Sequence, residues 1–134
     1  MSIILTNKHT SFAPELYIPA GITDIGFYTK AFGAVELRRF MNDDGSIHVA
    51  ELSINGNLFH LHEESVAKAR VSPAAVKGTT VLIGLFVTDV DAVINSAIAA
   101  GATLISPAQD YEYGYRQGEI QDPFGHYWQI EKII

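Results

Sequence analysis

The apolar and polar positions of this 134-residue chain fall into two runs with the same order of elements. Glu15–Ile18 alternates as a short strand, closed by Pro19 and Gly21. Ile22, Ile25, Tyr28 and Phe32 then recur at helical spacing, and Gly33 sits where a helix end favours glycine. Residues 35–40 read as a strand, 42–45 (Asn-Asp-Asp-Gly) as a hairpin turn, and Ile47–Ile54 as the next strand. After the turn at Asn55, Gly56 and Asn57 the chain returns over residues 58–62. The second run repeats this. A continuous apolar strand over 80–87 precedes a helix capped by Thr88, with Val90, Val93, Ile94, Ala97 and Ile98 on its apolar stripe and Gly101 at its end. A strand at 102–105, a tyrosine-rich loop at 107–114, and strands at Tyr115–Gln121 and Tyr127–Ile133 complete it.

Landmarks of the first run recur about 69 residues later: Ile18, Gly33 and Gly56 find counterparts in Val87, Gly101 and Gly125. The pattern predicts an α+β chain of two βαβββ modules. Module one spans about 12–64 and module two about 79–134, with a small, polar connector at about 65–78 that contains Pro73 and has room for a short helix. One domain of 1–134 is the expected unit. Residues before about Phe12 carry no period and read as an arm.

Composition narrows the function. A net charge of −6, with no clustering of Lys and Arg beyond Arg38-Arg39, excludes a nucleic-acid surface and gives no support for an anionic membrane. The absence of cysteine removes disulfides, thiol nucleophiles and Cys-type zinc sites together. The opening Met1-Ser2-Ile3-Ile4-Leu5 lacks a basic n-region, and no run approaches the ~20 apolar residues of a membrane span. A cytoplasmic protein is the expectation.

Several strings carry a resemblance. Phe27-Tyr28-Thr29-Lys30-Ala31-Phe32-Gly33-Ala34, His48-Val49-Ala50-Glu51-Leu52, Val87-Thr88-Asp89-Val90-Asp91, Tyr113-Gly114-Tyr115-Arg116 and the closing Asp122-Pro123-Phe124-Gly125-His126-Tyr127-Trp128 are similar to the vicinal oxygen chelate superfamily, the glyoxalase/bleomycin-resistance/dioxygenase group, in its PhnB-like branch. The resemblance implies paired βαβββ modules that form an open, cup-shaped mixed sheet, commonly in homodimers. Metal-dependent members hold a divalent ion with His, Gln or Glu from the first and last strand of each module. Carried across residue by residue, those positions fall near Ala13 or Pro14, at His60, at Leu82 and at Gln129. Two cannot ligate through a side chain, and a neutral imidazole with a neutral amide leaves a divalent charge uncompensated. The expected cup is therefore metal-free.

A different set offers an alternative. His60 and His62 are two apart on a strand, hence on one face, and Glu51 on the neighbouring strand reaches that face. Two imidazoles and a carboxylate suit Zn, Ni, Fe or Mn, with Gln129 as a further donor.

The remaining candidates divide by strand alternation. Tyr127 and Gln129 face the cup, while Trp128 packs inward. His48 reads as a core-edge histidine bonded to backbone, and His126 as exposed or capping. Glu51 is either a general base whose pKa an apolar cup raises, or a partner of Arg116. Arg116 either binds a ligand anion or pairs with Asp122 or Glu119. Tyr111, Tyr113 and Tyr115 form either a stacking wall for a planar ligand or an edge cover.

Two functions follow. One is a small-molecule binder, as in drug sequestration, using His60, His62, Tyr113, Arg116, Tyr127 and Gln129. The other is a metal-dependent lyase, isomerase or dioxygenase acting on a substrate with vicinal oxygens.

Overall fold

A computed structural model describes residues 9–134. The arm expected before about Phe12, and the Met1–Leu5 run, lie wholly or mostly outside the described residues. Module one contains β1 (Glu15–Ile18), α1 (Phe27–Phe32), β2 (Val35–Met41), β3 (Ile47–Ile54) and β4 (Asn57–Glu63). A four-residue helix, α2 (Pro73–Val76), marks the connector. Module two contains β5 (Leu82–Phe86), α3 (Val90–Ala99), β6 (Thr103–Tyr111), β7 (Tyr115–Gln121) and β8 (Tyr127–Ile133).

Each module forms its own open four-stranded sheet, and the two orders match: β1-β4-β3-β2 and β5-β8-β7-β6. In both, the first strand runs parallel to the last and the other pairs are antiparallel. The duplicated grammar of the sequence is thus a duplicated topology.

Local chemistry sets the boundaries. Helix α1 ends at Gly33, whose φ of 68° is left-handed and costs a glycine little. It begins later than the apolar period suggests. The Asp24 carboxylate accepts from the Gly26 N–H, and the Ile22 carbonyl accepts from Ile47 N, so the preceding turn is used for other bonds. Helix α3 is capped by Asp89, not Thr88, through a bond from Ala92 N. The tyrosine loop is mostly strand, because β6 runs on to Tyr111. Pro107 is accommodated there since β6 is an edge strand and its pairing is irregular around that residue.

Alternation along each sheet puts Leu16, Ile18, Ala50, Leu52, Phe59 and Leu61 on one inner face, and Ile120, Trp128 and Ile130 on the other. These inner faces meet across the module boundary. Trp128 lies 5.9 Å from Phe59 and 4.8 Å from Phe32, ring centre to ring centre, and Tyr28 lies 6.0 Å from Trp128. Within the chain, then, the space between modules is packed core rather than a cup. The polar faces of both sheets look outward. Among the described residues no helix is long and apolar enough to cross a membrane.

Candidate functional site

The outer face of module one reads as rows across four strands. Backbone register aligns Glu15 of β1, His60 of β4, Glu51 of β3 and Arg38 of β2 in one row. Tyr17, His62, Val49 and Phe40 form the next. Residues paired in register project to the same side, so Glu15, His60 and His62 converge. Glu15 Oε1 is 3.5 Å from His60 Nδ1 and 3.0 Å from His62 Nε2, and the three potential ligand atoms lie within 4.8 Å of one another. The two imidazole rings are 5.5 Å apart, and the Tyr17 ring stands 5.6 Å from that of His62.

His62 Nε2 is buried and, although close to Glu15, has no partner in hydrogen-bonding geometry. Burial lowers the proton affinity of His62 below the ordinary imidazole value, against the opposing pull of Glu15. A neutral imidazole with an orphaned nitrogen is the form that ligates a metal.

Glu51 takes part differently from either expectation. Its carboxylate is gripped by Arg38 through two bonds, Nε to Oε2 at 2.8 Å and Nη2 to Oε1 at 2.7 Å. Arg38 holds it below the usual carboxylate range, with His60 and His62 adding weakly in the same direction. The raised pKa of a general base is therefore reversed: Glu51 is a held anion beside His60. Its partner is Arg38, which a bulge between Glu36 and Arg38 brings into the row.

Arg116 is also committed. Its Nε and Nη2 bond both oxygens of Asp91 at 3.0 and 2.9 Å, and Nη1 bonds Asp110 at 3.0 Å. The expected partners, Asp122 and Glu119, are not used. With its fork filled on the helix side of the sheet, Arg116 has no free bidentate edge for a ligand.

Two histidines also depart from expectation. His48 is exposed and bonds Glu63 Oε1 at 2.7 Å. A bulge, where Met41 pairs with Ile47 but Phe40 with Val49, turns His48 outward and gives its core position to Ile47. His126 is buried, and its Nε2 meets the Tyr17 carbonyl at 2.7 Å, tying module two to β1.

On module two the outward row contains Tyr127, Gln129 and Glu131. Gln129 stands between Gly84 and Glu119. Tyr127 borders two clefts, of about 620 and about 320 Å³, on the connector side. Neither cleft includes His60 or His62. The tyrosines do assemble: Tyr111 stacks on Tyr113 at 5.3 Å, and Tyr113 lies 5.8 Å from Tyr115.

Glu15 is the residue that sequence reasoning missed. Homologous placement put the first-strand donor at Ala13 or Pro14, but parallel pairing sets Glu15 opposite His60. One signal was available: Glu15 and His60 have their module-two counterparts, about 69 residues on, in Gly84 and Gln129, which are also paired. The donor chemistry of Glu15, His60 and His62 fits a divalent transition metal, being two imidazoles and one carboxylate.

The profile described as Glyoxalase/Bleomycin resistance protein/Dioxygenase superfamily matches residues 24–130, and the chain belongs to that superfamily. It is similar to the uncharacterized protein Mb0911c of Mycobacterium bovis, 39% identical over 131 residues that cover 96% of this chain and 86% of that one. Among solved structures it is similar to the Arabidopsis thaliana At5g48480 gene product, with a TM-score of 0.67 and 27% identity over 91% of this chain and 98% of that chain. TioX from Micromonospora sp. ML1 is comparable, with a TM-score of 0.65 and 26% identity over 93% and 97% of the two chains.

Proposed function

We propose that this chain is a metal-dependent member of the superfamily, which holds a divalent transition ion (Zn, Ni, Fe or Mn) with Glu15, His60 and His62. The reading is a lyase, isomerase or dioxygenase acting on a small molecule with two adjacent oxygens. One observation carries it: a buried, unpartnered His62 Nε2 aimed at a carboxylate that also adjoins His60. A bound ion supplies Lewis acidity toward a ligand oxygen.

The chain's own residues supply the rest. Glu15 offsets part of the cation's charge. Arg38 keeps Glu51 ionised beside His60, which favours cation binding on this face without spending Glu51 as a ligand. Tyr17 and Phe40 flank the row and give an organic ligand apolar contact. The outward aim of both polar faces, with Val81, Leu82 and Phe86 exposed along the β5 edge, supports a homodimer in which a second copy closes the cup. Light scattering on the purified protein tests that assembly.

Protein stripped with chelator and offered Zn, Ni, Fe(II) and Mn in turn is expected to bind about one ion per chain by elemental analysis. A ligand present at 100 times its dissociation constant stabilises by about 2.7 kcal/mol, visible as a rise in Tm. His62→Ala and Glu15→Ala are expected to abolish uptake. If no ion binds and none shifts Tm, the protein is a metal-free small-molecule binder instead.

A further inference from the structure

We propose that His126 is a positioning residue for the cluster of Glu15, His60 and His62: from module two its ring holds the free edge of β1, and so keeps the Glu15 carboxylate against the two imidazoles. The inference rests on the metal reading of that cluster.

Glu15 is the least anchored of the three donors. Its side chain is 57% exposed, and among the described residues its carboxylate pairs only with His60 and His62. Its place therefore depends on the backbone of β1. That strand has four residues and a single neighbour in its sheet, β4. On the β4 side the Pro14 carbonyl accepts from His60 N and the Ile18 carbonyl from Glu64 N, both at 2.9 Å. In a parallel pair the backbone groups of successive residues turn to opposite sides, so the Tyr17 carbonyl, out of step with both, points to the open edge. No strand pairs with that edge. A carbonyl kept from water without a donor is costly. His126 supplies the donor, with Nε2 at 2.7 Å from the Tyr17 oxygen. A carbonyl only accepts, so Nε2 carries the proton.

The ring is mounted on a firmly held turn. Asp122 Oδ1 accepts from the His126 N–H at 3.0 Å and from the Phe124 N–H at 2.9 Å, and the His126 carbonyl accepts from Asp122 N at 2.8 Å. A Cβ built at Gly125 would lie 2.8 Å from Ala74 N, so α2 backs the turn closely. A buried donor on such a mount holds β1 at a set distance. Tyr17 is in register with His62, and Glu15, two residues before it, is on the same face of the strand. A donor set works only when its members are held within about 0.5 Å of the productive geometry.

The internal repeat supplies a contrast. At the same offset of about 69 residues, the module-two counterparts of Glu15, His60 and His62 are Gly84, Gln129 and Glu131, and the module-one counterpart of His126 is Asn57. Asn57 spends its amide within its own turn, on the Ile54 carbonyl at 3.0 Å. The clamp between modules is thus present where the strand it holds carries the ligand carboxylate, and is replaced by a local bond where that strand carries Gly84.

The test compares His126→Asn, whose amide stops short of the Tyr17 carbonyl, with His126→Gln, whose amide nitrogen reaches the Nε2 position. Chelator-treated protein is titrated with Zn and with Co(II), whose visible absorption reports its ligands. His126→Asn is expected to weaken Zn about tenfold or more and to alter the Co(II) spectrum, while His126→Gln stays within about threefold of wild type. Tyr28→Phe cuts a different bond between the modules and controls for general loosening. It is expected to lower Tm and leave Zn affinity in place. A metal-free measurement separates the two readings. Exchange of the His60 and Glu64 amides, which donate to Pro14 and Ile18, is expected to be about tenfold or more faster in His126→Asn than in wild type or His126→Gln. If wild type takes up no ion, the metal reading falls and this exchange alone decides the clamp. If Zn binds His126→Asn as tightly as wild type, if Tyr28→Phe weakens Zn as much as His126→Asn does, or if exchange is unchanged, the proposal is overturned while the metal reading stands. Nitrogen NMR of the wild type decides the matter even where His126→Asn fails to fold: a slowly exchanging proton on His126 Nε2 supports the clamp, and an Nε2 without a proton overturns it.

Discussion

His62 shows how one residue's surroundings set its chemistry. Groups around it pull both ways. Burial, His60 and His48 disfavour its proton, while Glu15 favours it, and burial wins. Its folded pKa therefore lies below the ordinary 6.5. A group with a depressed imidazole pKa binds more protons unfolded than folded, so its contribution to stability is fully present above about 6.5 and is lost as pH falls through the lower folded value. In chelator-treated protein the urea midpoint is expected to fall on acidification from pH 7 toward 5, and His62→Gln is expected to flatten that part of the profile. An unchanged slope in the variant would assign the effect to other groups. The shared face of His60 and His62 was legible from strand alternation alone. Glu15 was not, because its place depends on the register of a parallel pair that no local pattern encodes. Nor was the Arg38 grip on Glu51, which a bulge creates.

At the scale of elements, the departures from pattern cluster where strands stop being regular. The bulge at His48 exchanges inside for outside by one residue, so period-two reasoning, valid for β4 and β8, fails on the first half of β3. The β6 strand continues through Pro107 because an edge strand leaves one side of its backbone unpaired. The repeated strand order, by contrast, was readable from turns and spacing, since Gly33, Gly56, Gly101 and Gly125 all adopt positive φ at corresponding corners. The seating of α3 on its sheet is a sharper test. Gly118 of β7 lies beneath Ile94, and a Cβ there would come within 3.0 Å of the Ala108 backbone nitrogen on β6. Backbone does not yield as a flexible side chain does. Gly118→Ala is therefore expected to destabilise by about 1–3 kcal/mol, the range for overpacking a filled interior. Urea unfolding followed by circular dichroism measures this, and a neutral result would mean β6 moves aside freely.

At the scale of the whole molecule, the two sheets share no strand pairing, so side chains must join them. The joint is polar at its centre. Asp122, buried in the β7–β8 turn, accepts from Tyr28 Oη of module one at 2.6 Å and from Trp128 Nε1 at 3.0 Å, while its other oxygen accepts from the Phe124 and His126 backbone N–H groups. Burial, with the Asp122 charge and hydrogen bond behind it, raises the Tyr28 phenol well above its ordinary value, so that group stays a donor throughout the working pH range. Removing one side of such a network differs from removing the other. Tyr28→Phe deletes a donor and leaves Asp122 with three; a cost of about 1–2 kcal/mol is expected. Asp122→Ala leaves four buried donors without their acceptor, each worth roughly 1–3 kcal/mol if no water replaces it. The asymmetry also bears on cooperativity. If Asp122 couples the modules, Asp122→Ala should separate the near-ultraviolet signal of Trp128 from the far-ultraviolet signal of the sheets during denaturation, while Tyr28→Phe keeps them coincident. Coincident transitions in both variants would show that the packing of Phe32, Phe59 and Trp128 alone makes the halves one cooperative unit.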